Sequence, residues 1–251
     1  MLDAVVLDFG HTIVDFALNE QALHAAYEEV RQLLVEYAAS EVPSASALVE
    51  GVSKRLSARV NESYERQDLQ ELDIVAEFQA LLADLNICVP DNLTRTIVGI
   101  EHRALLAELF VPPANLAALQ ALRSEGLRLG LVSNITYLGD MVRDDLDRLG
   151  LLELFGAVIL SSEIGVRKPH PRIYEAALDQ LHVPAVHTVF VGDRLREDVM
   201  GPKSVGMRAI LTQEYRAEHV GTDGPVPDFI ITHLTELSAV VRTLRAESVP
   251  S

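Results

Sequence analysis

Cysteine is almost absent from the sequence, which excludes an intrachain disulfide. Cys88 is the single cysteine among 251 residues, and a reducing compartment is therefore expected. It stands in the apolar stretch LNICV, where a buried, unreactive thiol is predicted. The N-terminus has no basic segment ahead of a long apolar run, so no signal peptide is indicated. These features together predict a cytoplasmic protein.

Positive charge is also scarce. The chain carries 21 basic and 37 acidic residues, a net charge of −16. A protein that binds the nucleic-acid backbone needs a basic surface, so this class of partner is excluded. No apolar run approaches the roughly 20 residues that span a bilayer, so a membrane partner is not expected either. The expected partner is a small molecule drawn into a locally positive pocket; no pattern specifies an oligomeric state.

Hydrophobic residues are plentiful, at 49% of the chain, and can form a sizeable core. Short continuous apolar runs are typical of buried parallel strands. Helical patterns separate most of these runs, which predicts an α/β fold with a doubly wound parallel sheet. The runs lie at residues 4–9, 127–132, 157–160, 188–191 and 208–211, with a weaker one at 228–232.

A long segment after the first strand breaks this alternation. Four amphipathic helical patterns occupy residues 23–37, 48–60, 74–85 and 93–104. They predict an all-helical domain, a small four-helix bundle inserted between the first and second strands. The predicted domains are therefore residues 1–17 and 111–251 for the α/β core and residues 18–110 for the insert.

Polar residues follow the first two predicted strands, at the edge of the sheet where ligands of such folds bind. The sequence DFGHT at residues 8–12 begins with a carboxylate directly after a buried strand. Such an acid is costly unless it is paired or bound to a cation, although a turn with an exposed acid would also explain it. Ser133 and Asn134 follow the second strand. They suit a phosphate site, or equally a cap for the next helix.

Charged residues mark two further loops. The chain has three lysines against eighteen arginines, so Lys168 suggests a site that needs a compact ammonium, although a solvated loop lysine is the simpler alternative. Asp193 and Asp198 follow the fourth strand and are five residues apart. Two such carboxylates can converge on one hard cation such as Mg²⁺. The helix dipole alone would account for Asp198, but not for Asp193.

In order and spacing, these four signals resemble the motifs of the haloacid dehalogenase-like superfamily, from residue 1 to about residue 243. The helical insert resembles the cap domain that this family places after its first motif. The resemblance implies a hydrolase with Mg²⁺ as cofactor, most simply a small-molecule phosphatase.

The resemblance also implies a role for each matching residue. Asp8 is the nucleophile that forms an aspartyl-phosphate, and Ser133 and Lys168 bind the transferring group. The implied Mg²⁺ ligands are Asp8, the backbone carbonyl of Gly10, Asp193 and Asp198, the last as a ligand or as a support. Thr12 and Asn134 complete the implied substrate-binding set.

Gly10 departs from the family pattern, since phosphatases of the family usually carry a second aspartate there. That residue protonates the leaving group and activates water, help that is typically worth about 100- to 10,000-fold in rate. One hypothesis is that His11, or a residue of the helical insert, takes over this role, because histidine has a suitable pKa. A hydrogen-bonding turn residue is the alternative for His11.

Other hypotheses concern reactions that do not need the missing acid. An acyl phosphate needs no protonation of its leaving group, nor does the halide of a 2-haloacid dehalogenase, but halide displacement needs no metal. A phosphonoacetaldehyde hydrolase-like enzyme would use a lysine of the insert as a Schiff base. Lys54 is the one lysine there, although it also suits a solvated helix face. A non-catalytic binding or regulatory role is the last alternative, and retention of the whole polar set argues against it.

Overall fold

The protein is described by a computed structural model covering residues 2–37, 41–221 and 224–247. It separates into two compact units. An α/β core contains the described residues of 1–15, 110–135 and 142–251, and a helical unit contains those of 16–109 and 136–141. The segment 136–141 lies outside the range 18–110 that the sequence suggested for the insert.

A parallel sheet forms the centre of the core. Within the described residues it has six strands, which are β1 Ala4–Leu7, β2 Arg128–Ser133, β3 Ala157–Leu160, β4 Thr188–Gly192, β5 Arg208–Thr212 and β6 Phe229–Ile231. Their order in the sheet is β3-β2-β1-β4-β5-β6. Leu7 of the first strand pairs with Leu131 and with Val191, so the carboxyl ends of three central strands lie side by side. The strand order reverses between β1 and β4, which confirms the doubly wound α/β prediction.

The helical unit is built from amphipathic segments close to the four expected from periodicity. Its first helix buries residues three or four positions apart, including Leu23, Tyr27, Val30 and Leu34. The second expected helix contains a π-helical turn, Val49–Lys54, between two α-helical pieces. The helices are α1 Glu20–Tyr37, α2 Ala45–Leu48, α3 Arg55–Glu65, α4 Ile74–Ala83 and α5 Asp91–Leu105.

The short segment 136–141 joins this unit through its side chains. Thr136 Oγ1 donates a hydrogen bond to Glu71 Oε1 at 3.1 Å. The rings of Tyr137 and His102 lie 4.8 Å apart between centroids. The helical unit therefore consists of two separate stretches of the chain.

Cys88 is exposed, so the prediction of a buried thiol was wrong. It lies in the connection between α4 and α5, where Asn86 adopts a left-handed backbone conformation with φ 62°. Ile87 turns inward and is buried in place of the cysteine.

Helices of the core cover the sheet, whose strand residues are nearly all buried. The predicted start of a helix at Pro171 is confirmed, and the His170 side chain caps it by accepting from the Arg172 amide. These helices are α6 Pro113–Ser124, α7 Gly139–Arg148, α8 Ser161–Ile164, α9 Pro171–Leu181, α10 Gly201–Ser204 and α11 Leu237–Glu247. The first three residues of α7 belong to the helical unit and the rest of it to the core. A π-helical turn, Leu195–Met200, precedes α10. None of the described helices combines the length and hydrophobicity that a bilayer crossing requires.

A buried carboxyl group lies inside the helical unit. Glu101 of α5 is 1% exposed, and its Oε1 accepts a hydrogen bond from Ser53 Oγ at 2.5 Å. Its Oε2 and the hydroxyl of Tyr27 are buried without a hydrogen-bond partner among the described residues. Burial raises the pKa of Glu101 to about 7, and the hydrogen bond from Ser53 offsets part of the rise.

We expect Glu101→Gln to stabilise the protein more at alkaline than at acid pH. Because the pKa of Glu101 is higher in the folded chain than its ordinary 4.5, the contribution of this group to stability is present below pH 4.5 and is lost as the pH rises through 7. The gain in unfolding free energy should be about 2–3 kcal/mol larger at pH 8.5 than at pH 4.5. Urea unfolding at the two pH values measures it. Glu36→Gln, which changes an exposed acid of α1, is the control; equal gains for the two variants would contradict the prediction.

Candidate active site

Three of the predicted site residues stand at the carboxyl edge of the sheet. Asp8 follows β1, Ser133 ends β2, and Asp193 follows the last residue of β4. All three are buried. Helix α7 begins only at Gly139, so Ser133 and Asn134 do not stand directly at a helix start, as the capping alternative required.

Lys168 joins the nucleophile candidate to the fourth loop. It lies between α8 and α9 and is 4% exposed. Its Nζ is 2.7 Å from Asp8 Oδ1 and 2.7 Å from Asp198 Oδ1. Burial by itself would lower the pKa of this ammonium, but the charges and hydrogen bonds of Asp198 and Asp8 outweigh burial and raise it. Lys168 is therefore a charged group that bridges two carboxylates, and not a solvated loop lysine.

Asn134 holds the backbone of this lysine. The Lys168 amide donates to Asn134 Oδ1 at 2.7 Å, and Asn134 Nδ2 donates to the Lys168 carbonyl at 3.2 Å. The sequence suggested that Asn134 contacts substrate. In the structure both ends of its amide form hydrogen bonds with the backbone of Lys168, and contact with substrate stays a prediction.

Asp198 is brought against the end of β4 by a glycine. A Cβ atom on Gly192 would lie 2.3 Å from Asp198 Cγ, so any other residue would displace this carboxylate. Asp198 Oδ2 accepts a hydrogen bond from the Arg194 amide at 3.0 Å. Burial raises the pKa of Asp198; the charge of Lys168 opposes the rise, and the charges of Asp8 and Asp193 add to it.

The three carboxylates can hold a metal ion. One oxygen from each of Asp8, Asp193 and Asp198 lies within 4.8 Å of the others. Asp193 Oδ2 is buried and accepts no hydrogen bond from the described residues, so this oxygen is available as a metal ligand. Burial and the charge of Asp8 raise the pKa of Asp193 to about 6. An all-oxygen set of this kind suits a hard divalent cation such as Mg²⁺.

The loop after Asp8 places the remaining predicted residues. His11 has a left-handed backbone, φ 55°, and its amide donates to the Val14 carbonyl at 2.7 Å. Its Nδ1 lies 2.9 Å from Asp15 Oδ1. Thr12 is fully buried, and its hydroxyl has no hydrogen-bond partner among the described residues. Gly10 forms an isolated bridge with Val14.

Sequence reasoning missed two residues of this edge. Asp15 was not considered, although a carboxylate four residues after His11 was visible. Arg216 Nη1 lies 3.0 Å from Asp193 Oδ2, in an ion pair that lacks the alignment of a hydrogen bond. The sequence could have indicated Arg216, because this residue closely follows β5, and β5 ends at the same edge of the sheet as β4.

This arrangement agrees with the comparison to known proteins. The family model of haloacid dehalogenase-like hydrolases matches residues 2–206. The chain therefore belongs to the haloacid dehalogenase-like hydrolase family, and it is a hydrolase.

Individual relatives differ in their named activities. The chain is 34% identical, over 171 residues, to the glyceraldehyde 3-phosphate phosphatase of Methanopyrus kandleri, covering 66% of this chain and 72% of that one. Its fold resembles a 2-haloacid dehalogenase from Pseudomonas syringae, with a TM-score of 0.69, 24% identity and coverage of 97% and 99%. It also resembles a phosphatase of the family from Thermococcus onnurineus, with a TM-score of 0.61, 24% identity and coverage of 96% and 98%.

We expect Lys168→Met to destabilise the metal-free protein strongly. The change leaves the carboxylates of Asp8 and Asp198 buried without their shared cation, which costs about 3–5 kcal/mol of unfolding free energy. The control is Lys203→Met, which removes a partly exposed lysine 3.1 Å from Asp228 and should cost about 0–1 kcal/mol. Urea unfolding at pH 7.5 with a chelator compares the two, and similar losses would argue against a buried, charge-balancing Lys168.

Proposed function

We propose that this chain is a Mg²⁺-dependent phosphatase of small phosphorylated metabolites that acts through an aspartyl-phosphate on Asp8. The buried ammonium of Lys168, 2.7 Å from Asp8 and from Asp198, is the observation that carries the proposal. Phosphoryl transfer from a dianion to a carboxylate brings like charges together, and it needs positive groups fixed in advance. The 34% identity to a glyceraldehyde 3-phosphate phosphatase supports the same class of substrate.

Mg²⁺ would be held by Asp8, the Gly10 carbonyl and Asp193. When bound, it supplies positive charge to the phosphoryl oxygens and orients them. Asp198 has one oxygen on Lys168 and the other on the Arg194 amide, which favours a supporting role over direct ligation. Asn134 is likewise proposed to position Lys168, since its amide is used on that backbone.

In the first step, an Asp8 carboxylate oxygen attacks phosphorus and the bond from phosphorus to the ester oxygen breaks. Ser133 and Lys168 hold the transferring oxygens, and the buried hydroxyl of Thr12 is proposed to join them. The leaving oxygen takes a proton from His11 Nε2. In the second step, water returns a proton to His11 while its oxygen attacks phosphorus, which breaks the bond to Asp8 and releases inorganic phosphate.

Asp15 supports the proposed role of His11. A histidine whose Nδ1–H is donated to a carboxylate is fixed in one tautomer, and its Nε2 then exchanges the proton. The 2.9 Å contact between His11 Nδ1 and Asp15 Oδ1 fits this arrangement. In this proposal the pair replaces the aspartate that the family usually has at the position of Gly10.

The alternatives have less support. Lys54 is exposed and pairs with Glu50 at 2.5 Å; this hydrogen bond and charge raise the pKa of Lys54, which favours the protonated amine over the neutral form that a Schiff base requires. Halide displacement would give the buried carboxylate cluster no function. The dehalogenase likeness, at 24% identity, concerns the fold alone.

We expect phosphate release from para-nitrophenyl phosphate and glyceraldehyde 3-phosphate to require both Mg²⁺ and Asp8. Asp8→Asn should reduce turnover to background, because the amide cannot act as the nucleophile. Asp3→Asn, at the opposite end of β1, is the matched control and should keep activity. Chloride release from 2-chloropropionate in place of phosphate release would favour the dehalogenase, and no turnover on any substrate would favour a non-catalytic role.

We expect His11→Gln to lower turnover about 100- to 10,000-fold on an alkyl phosphate, the usual value of general acid-base help. The loss in the rate of the first step should be much smaller on acetyl phosphate, whose leaving group needs no proton. Single-turnover measurements on both substrates test this. The control is His182→Gln, which changes an exposed histidine that also has a left-handed backbone, φ 54°.

A rescue variant sharpens this test. Adding Gly10→Asp to His11→Gln should restore turnover on the alkyl phosphate, because an aspartate is the usual acid of the family at that position. Equal losses on both substrates, or no rescue, would show that His11 has a different role.

A further inference from the structure

The segment after β5, residues 213–218, is fixed at one end to β6 and the turn after it, and at the other end to the loop after β4. The Gln213 amide donates to the Ile231 carbonyl at 2.9 Å. Glu214 Oε2 accepts from the Leu234 amide at 2.6 Å, and Glu218 Oε2 accepts from the Leu195 amide at 2.5 Å. Leu195 begins the π-helical turn that carries Asp198. This segment is therefore tied to the loop of Asp193 and Asp198.

Asn115 ties the same segment to the first loop. Its Nδ2 donates at 3.1 Å to Glu214 Oε1 and also at 3.1 Å to the Ile13 carbonyl. Asn115 is 2% exposed, so this link is shielded from water. The 213–218 segment thus has a defined position between the loops that supply Asp8 and Asp193.

Arg216 is the cation that this segment presents. Its Nη1 is 3.0 Å from Asp193 Oδ2, and its side chain is 32% exposed. Lys168 contacts the other two carboxylates of the cluster. When all three acids are ionised, the cluster of Asp8, Asp193 and Asp198 together with Lys168 and Arg216 carries a net charge of −1. Without Arg216 the same set carries −2.

We propose that Arg216 is a substrate-binding residue that holds the phosphate dianion and, through its charge, weakens the metal affinity of Asp193. This inference rests on the proposed phosphatase function. A guanidinium stays charged at all relevant pH values and offers paired donors that match phosphate oxygens. The contact with Asp193 is made through Nη1 and is not an aligned hydrogen bond, so the guanidinium can offer its N–H donors to a ligand while its charge stays beside Asp193.

If Arg216 has this role, removal of its charge should change the affinities for metal and for phosphate in opposite directions. Arg216→Gln should bind Mn²⁺ about 3- to 10-fold more tightly, because a positive charge near the metal position is removed. In the presence of Mg²⁺ it should bind inorganic phosphate about 3- to 10-fold more weakly, because a positive partner of the dianion is lost. A merely structural role of Arg216 would weaken both affinities together.

The experiment measures Mn²⁺ affinity by electron paramagnetic resonance and phosphate affinity by calorimetry on the full chain. Arg216→Lys keeps the charge, so its Mn²⁺ affinity should match the unmodified protein while its phosphate affinity falls in part. Arg148→Gln is the matched control, since it removes an exposed arginine that lies 3.3 Å from Asp145 in the same unit. It should change neither affinity.

Two results would overturn the inference while leaving the proposed function intact. One is an Arg216→Gln protein in which both affinities are unchanged, and the other is a protein in which both fall together. If the unmodified chain binds neither Mn²⁺ nor phosphate and releases no phosphate from any ester, the proposed function fails as well, and the inference fails with it.

Discussion

The buried contact of Lys168 with Asp8 and Asp198 is the constraint on which the rest of the site depends. Three carboxylates converge at one end of a sheet whose strand residues are nearly all buried. Charges in such surroundings lose their hydration, and they persist only when opposite charges or hydrogen bonds replace it. The ammonium supplies part of that replacement, and the surrounding loops are shaped to hold it: Asn134 fixes its backbone, and Gly192 leaves room for Asp198.

Lys168 compensates only part of the negative charge that is buried at this edge of the sheet. The pKa values of Asp193 and Asp198 are both raised, chiefly by burial, so in the absence of a cation these groups resist ionisation. The burial of these acids makes the folded state less stable than it would be with uncharged residues at this edge of the sheet. Such cost is common where a protein must bind a charged ligand, because a fully satisfied set of groups would gain nothing from binding it.

The fold could be predicted from the sequence because the patterns that indicate strands and helices lie within short stretches of the chain. Uninterrupted apolar runs such as residues 188–191 predict buried parallel strands, and Pro171 predicts the start of a helix. The polar residues Asp8, Lys168 and Asp198 could be grouped because the carboxyl ends of parallel strands share one edge. Contacts that depend on the direction of a side chain could not be predicted from such patterns. Cys88 lies in an apolar stretch and still points outward, and Arg216 reaches Asp193 through a loop path that no periodicity describes.

The two-part construction of the helical unit has a consequence for how the chain can be built and altered. Because residues 136–141 supply Thr136 and Tyr137 to this unit, a fragment of residues 16–109 lacks part of its own packing. During synthesis the unit is complete only after the second strand of the core has left the ribosome. To exchange this unit between relatives, both stretches of the chain, residues 16–109 and 136–141, would have to be replaced together. A simple insertion would require the replacement of only one stretch.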